Sequence, residues 1–164
     1  VQTMMDTEKI VKFWVNGDAV SVSEADTSLP MLNFLRERLS LNRVRYGCGA
    51  GACGACTIVC DGEAITSCDK AVSDMAGRHI ETPENLGDAA NPHPVLAALI
   101  RQQAVQCGYC ISGVAMRAKA LLDNNPTPSR PEILKALDNH LCRCGTHVRI
   151  VRAVEDLVAS GEMA

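Results

Sequence analysis

The spacing of hydrophobic positions changes period partway along the chain, and the change divides it. From Lys9 to Val15, Ile10, Lys12 and Trp14 alternate with Val11, Phe13 and Val15, and Asn16-Gly17 follows at once. A period of two running into Asn-Gly predicts a strand and a hairpin turn, with Asp18 to Ser23 returning. From Pro30 to Leu39 the period becomes helical, carried by Leu32, Leu35 and Leu39 behind a proline suited to a first turn. Thr57 to Cys60, Asp61-Gly62 and Glu63 to Ser67 repeat the hairpin signal, and Arg78 to Thr82 reads as a last short strand. Residues 1–83 thus read as a small module with a mixed sheet gripping one helix.

Pro83 to Pro94 is rich in Pro, Gly, Asn and Asp, lacks periodicity and reads as a linker. Beyond it the pattern is helical throughout. Leu96, Leu99 and Ile100 mark a helix over Val95 to Val105, and Ser112 is placed to cap a second from Gly113 to Asp123. Ser129-x-x-Glu132, with Pro131 in the first turn, predicts a capping box for a third helix ending near His140. Ile150, Val151, Val154, Leu157 and Val158 mark a fourth from His147 to Ala159, before Gly161. Residues 84–164 therefore read as a four-helix bundle, and the fold class as α+β.

The candidate chemistry lies between these elements. Cys48-x4-Cys53-x2-Cys56, with Cys68 beyond, has the plant-type ferredoxin spacing for a [2Fe–2S] cluster. The glycines between suit a loop that turns sharply and brings backbone N–H groups close to sulfur. A second set, Cys107-x2-Cys110 and Cys142-x-Cys144, falls at helix junctions; taken alone, four sulfurs fit either a second cluster or a tetrahedral zinc site. Aromatics make up only 3% of the 164 residues, so metal sites would add stability that large side chains do not. Nine cysteines, an odd count in close pairs, suit ligation better than a secreted disulfide framework. Two oxidised clusters would take the formal charge of −3 to about −7.

Several classes drop out. No basic patch with interleaved aromatics suggests nucleic acid, and no run of apolar residues is long enough for a membrane span. Asp6 and Glu8 interrupt the first residues, so no secretory leader is expected there. The expected location is cytoplasmic; the other routes are membrane association and export carried by a partner.

The motifs resemble those of the two-cluster iron–sulfur subunit, or domain, of the molybdenum hydroxylases related to xanthine dehydrogenase and aldehyde oxidoreductase. The resemblance rests on Tyr46 through Thr57, Ser67-Cys68, Gln106-Cys107-Gly108-Tyr109-Cys110 and Leu141-Cys142-Arg143-Cys144, and runs from Lys9 to Leu157. It implies an N-terminal β-grasp plant-type ferredoxin domain whose cluster is held by Cys48, Cys53, Cys56 and Cys68. It implies a helical domain whose cluster, held by Cys107, Cys110, Cys142 and Cys144, lies nearer the molybdenum cofactor. Gln106 would hydrogen-bond the pterin of that cofactor, and Cys144 would add a sulfur contact. The implied role is the electron-transfer subunit of a multi-subunit oxidoreductase. A large molybdopterin-binding partner would hydroxylate carbon with water-derived oxygen, and electrons would pass singly through this chain to a flavin subunit or a cytochrome c domain. No catalytic residue and no substrate site is expected on the chain itself.

After Cys144 the common family pattern continues Thr-Gly-Tyr, whereas this chain has Gly145-Thr146-His147. That variant resembles the small subunits of isoquinoline oxidoreductases and nicotinate dehydrogenases and points to an N-heteroaromatic substrate. An aldehyde- or purine-oxidising complex, a free-standing two-cluster carrier and a zinc-stabilised interaction module are the alternatives. Cys60 reads as a small buried hydrophobe. His147 reads as a helix-start residue; His79, His93 and His140 have surface or capping roles; Arg36, Arg38, Arg43 and Arg45 form a solvated face; Tyr109 packs beside the second cysteine set.

Overall fold

In the computed structural model, which describes residues 10–162, the expected elements appear in the expected order. Strand β1 (Val11–Val15) pairs antiparallel with β2 (Asp18–Val22), and β3 (Thr57–Cys60) with β4 (Glu63–Thr66). Both tight turns use a left-handed pair, Asn16 and Gly17 at φ 53° and 92°, Asp61 and Gly62 at 49° and 84°. That geometry lets two residues join strands without splaying them. Strand β5 (His79–Glu81) enters between the hairpins, parallel to β1 and antiparallel to β3, giving the order β2-β1-β5-β3-β4. Lys9, the expected first residue of β1, lies outside the described residues.

Helix α1 is short: Met31–Asn33 is α-helical and Phe34–Arg38 widens into π-helical turns, with the Leu39 N–H reaching back to the Phe34 carbonyl. Met31, Leu32, Phe34 and Leu35 pack on Phe13, Val15, Val22, Ile58 and Ile80 of the sheet. Three of the four arginines near this helix make specific bonds, while Arg38 and Arg43 remain exposed, as a solvated face requires. Arg36 donates to the Val44 carbonyl at 2.7 Å, Arg38 pairs with Asp26 at 3.0 Å, and Arg43 donates to the Gly87 carbonyl at 3.0 Å. Arg36, through Val44, and Arg43, through Gly87, tie down the approach to the glycine-rich loop.

The expected linker is a packed turn. Pro83 and Leu86 are buried, and the His93 N–H donates to the Leu86 carbonyl at 2.9 Å. Helix α2 (Pro94–Arg101) ends four residues earlier than its pattern predicted, because Gln103 at φ 49° reverses the chain and buries Ala104. Helix α3 (Ile111–Asn124) starts with Cys110 at its cap position, so Ser112 lies inside the first turn and does not cap. The capping box of α4 (Arg130–Leu137) forms as predicted, Glu132 accepting from the Ser129 N–H at 2.7 Å. Helix α5 (His147–Ser160) stops at Gly161, which is left-handed at φ 67°. Leu99, Val114, Met116, Ile133, Ile150, Val154 and Leu157 form the core of this four-helix bundle. Fully burying each such side chain is worth about 1.5–3 kcal/mol.

Strand β3 carries both cores. Ile58 and Cys60 face α1, whereas Val59 joins the core of the bundle through α3. Successive strand residues point to opposite faces, so a strand buried throughout needs a packed layer on each. The closest approach is backbone to backbone: a Cβ on Gly113 of α3 would lie 1.9 Å from the Gly54 carbonyl oxygen. The Lys119 ammonium, 3.0 Å from Glu81 and 2.6 Å from Asp123, adds a partly buried link between sheet and helix.

Gly113→Ala should therefore cost about 1–3 kcal/mol or more, since a rigid carbonyl, not a flexible side-chain tip, stands in the way. Denaturant titration of the purified protein against Gly161→Ala, where a Cβ meets open space but the left-handed φ is strained, separates close packing from backbone strain.

Candidate metal centres

The loop from Tyr46 to Cys56 has no regular secondary structure and turns on Gly49, Gly51 and Gly54, with φ near +70° at each (70°, 69° and 72°). Those turns aim N–H groups at sulfur. Ala50 and Ala52 each donate to Cys48 Sγ at 3.3 Å, Gly51 donates to Cys68 Sγ at 3.2 Å, and Cys48 donates to Cys53 Sγ at 3.4 Å. Cys68 reaches this loop because the β3–β4 hairpin brings its far end home: the Ser67 hydroxyl donates to the Cys56 carbonyl at 2.8 Å. Gly47 is a tight position, where a Cβ would come within 2.6 Å of Cys53 Sγ.

The second set assembles from loops at one end of the bundle. Gly108, at φ 79°, turns the chain from Cys107 into the start of α3, and the turn from Cys142 to Gly145 leads into α5. Cys107 and Cys144 lie near enough to shift each other's ionisation, as do Cys110 and Cys142. In the first set the close pairs are Cys48 with Cys53 and Cys56 with Cys68. Among the described residues no three His, Cys, Asp or Glu side chains converge on a single ion. The two sets present pairs, the arrangement a two-iron core takes with two thiolates per iron.

The thiols differ in how readily they ionise. The N–H groups of Ala50 and Ala52 hold Cys48 well below the ordinary thiol value, at about 6. Burial pushes Cys142 up, but the hydroxyl and N–H of Thr146 and the neighbouring Cys110 bring it down to about 7. Burial pushes Cys68 and Cys110 up to about 12. Each set thus combines a thiol ionised near neutral pH with a half-buried one that keeps its proton until a cation replaces it. Four thiols, directed N–H groups and a Cβ-free approach at Gly47 fit an iron–sulfur cluster in the first set; the paired thiols of the second fit another.

The two sets adjoin. The Leu141 N–H donates to the Cys53 carbonyl at 3.1 Å, so a residue bonded to Cys142 touches a residue of the first set directly. Cys53, Cys107, Cys110, Leu141 and Arg143 line a common cavity of about 180 Å³. Tyr109, half exposed, crosses this seam; its hydroxyl donates to the Tyr46 carbonyl and the Arg45 guanidinium sits 5.7 Å from its ring centre. Gln106 and Cys107, earlier in the same loop, are exposed.

Cys60 is 2% exposed among core side chains, as expected. His93 caps α2, accepting from the Val95 N–H at 3.3 Å, and exposed His79 stacks on Trp14. His140 departs from expectation. It is 4% exposed, and burial together with the charge of Arg117 pushes its pKa down to about 4, keeping it neutral. Past the end of α4 it falls in no periodic pattern; its place two residues before Cys142 was the one sequence signal that could have marked it.

A ferredoxin-like sheet and a helical bundle, each carrying four adjoining cysteines, make up a two-cluster electron-transfer protein. Residues 3–106 match the family described as a 2Fe-2S iron-sulfur cluster binding domain, and residues 82–155 the one described as a [2Fe-2S] binding domain. The chain is 53% identical to one subunit of the nicotinate dehydrogenase of Pseudomonas putida, over 88% of its length and 91% of that protein's. It is 44% identical to the alpha subunit of the isoquinoline 1-oxidoreductase of Brevundimonas diminuta, covering 88% of this chain and 95% of the other. Among solved structures, aldehyde oxidoreductase from Desulfovibrio gigas superposes with a TM-score of 0.86 at 33% identity, covering 92% of this chain but 17% of that much longer one. The chain belongs to the two-[2Fe–2S] iron–sulfur subunit family of the molybdenum hydroxylases, and serves as the electron-transfer component of a multi-subunit oxidoreductase.

Gly47→Ala should displace Cys53 Sγ and remove the first cluster while sparing the second. EPR of the dithionite-reduced protein should then show one of two [2Fe–2S] signals, whereas Cys60→Ala should keep both.

Proposed function

We propose that this chain carries electrons one at a time from a molybdopterin centre in a large partner subunit to a flavin subunit or cytochrome c domain. Cys48, Cys53, Cys56 and Cys68 hold one cluster, in the unit formed by residues 1–83. Cys107, Cys110, Cys142 and Cys144 hold the other, in the unit formed by residues 84–164. When bound, each cluster supplies one-electron chemistry; the chain supplies ligands, hydrogen bonds to sulfur, burial and the connection between sites. The observation that carries this reading is the seam itself, where the Leu141 N–H meets the Cys53 carbonyl and the two sets share a cavity. A covalent path with one hydrogen bond runs there from Cys53 to Cys142.

Gln106 and Cys107 are exposed, which leaves them open to a partner's cofactor. We assign Gln106 to the pterin through its side-chain amide, with Cys144 Sγ as a second contact. The reaction served is hydroxylation of an N-heteroaromatic compound. Its support is the identity to subunits of the nicotinate and isoquinoline enzymes, together with the Gly145-Thr146-His147 variant. Among the described residues no helix is long and apolar enough to cross a membrane, and we place the complex in the cytoplasm.

The native complex should contain about four irons and four acid-labile sulfides per chain and give two distinct [2Fe–2S] EPR signals; zinc without sulfide overturns the reading. An untagged molybdopterin subunit should copurify. Gln106→Ala should slow cluster reduction by substrate several-fold in stopped flow while leaving iron content intact, and unchanged kinetics would take Gln106 off the electron route.

A further inference from the structure

Leu141 supplies the N–H that meets the Cys53 carbonyl, yet its own side chain is 62% exposed and anchors nothing. The residue before it does the anchoring. His140 donates its N–H to the Leu137 carbonyl at 2.9 Å, and its carbonyl accepts from His147 Nε2 at 3.2 Å, so its backbone is held at both ends. Its ring Nε2 lies 3.1 Å from Thr57 Oγ1. The Thr57 hydroxyl proton is already given to the Gly54 carbonyl at 2.7 Å, so the ring nitrogen must be the donor. The ring packs flush on Gly54, where an added Cβ would come within 2.6 Å of Cδ2. His140 is therefore fastened to the same turn, Cys53 to Thr57, that presents the Cys53 carbonyl.

We propose that His140 is a positioning residue: its Nε2–H bond to Thr57 and its packing on Gly54 hold the Leu141 N–H against the Cys53 carbonyl and so set the electronic contact between the two cysteine sets. This rests on the reading of those sets as cluster ligands. A ring buried this deeply and packed flat on Gly54 has little freedom to move, which makes the register of the seam sharp.

The test uses the complete complex with its partner subunits. Two EPR signals in the parent complex check the ligand reading first; their absence there refutes that reading and not the role of His140. In His140→Ala, the Leu141 amide should exchange with deuterium roughly tenfold faster, the bias one hydrogen bond gives a local equilibrium. Redistribution of an electron between the clusters after a reducing pulse should slow several-fold. His140→Gln keeps an N–H donor for Thr57 and should restore most of both. Unchanged exchange and redistribution in His140→Ala, with both clusters present, overturn the proposal, as does a His140→Gln as impaired as the alanine. If His140→Ala loses a cluster, Thr57→Val decides by the same two readouts: impairment supports the proposal and parental behaviour overturns it.

Discussion

The arrangement depends on one close backbone contact, between the turn at Gly54 and the first turn of α3 at Gly113. Neither position has room for a Cβ: at Gly113 it would strike a carbonyl, at Gly54 the ring of His140. Two glycines and one flat aromatic ring let a loop and a helix approach closer than any pair of side chains would allow. That approach brings the first cysteine loop down onto the junctions that carry the second set. Without it the chain would be two cluster-binding units on a tether; with it the two share a seam.

The rest of the fold supports that seam. The β3–β4 hairpin returns Cys68 to the loop, and β3, buried on both faces, gives the bundle a wall to pack against. Arg36, in α1, and Arg43, after it, hold the loop's entry through backbone carbonyls, which no change in side chains nearby would disturb. Around sulfur, the same backbone economy recurs: N–H groups supply much of the polarity that Cys48 meets and favour its ionised form. Ligation and hydrogen bonding at such sites tune potential as well as affinity.

Much of this was legible in the linear pattern. The two Asn-Gly and Asp-Gly turns, the capping box at Ser129, the left-handed stop at Gly161 and the two cysteine spacings are local signals, each set by the conformational needs of a few neighbouring residues. The early end of α2 was not legible, because the apolar residues continue past the turn at Gln103 to bury Ala104. Nor were the bonds of Arg36, Arg38 and Arg43, whose acceptors are carbonyls and one carboxylate that only folding places near them. The linker reads as slack from its prolines and glycines, yet Leu86 and Pro83 are buried within it.

By itself the sequence determined the α+β class, the order of elements, the family and the eight cysteines in their two sets, because metal spacing and turn chemistry are short-range constraints. The tertiary structure alone decided how the sets meet: Cys53 against Leu141, Thr57 against His140, Gly54 against Gly113. These pairs are 59 to 88 residues apart in the chain, and contacts at that separation follow from how a sheet face and a helix face fit, which no local pattern records.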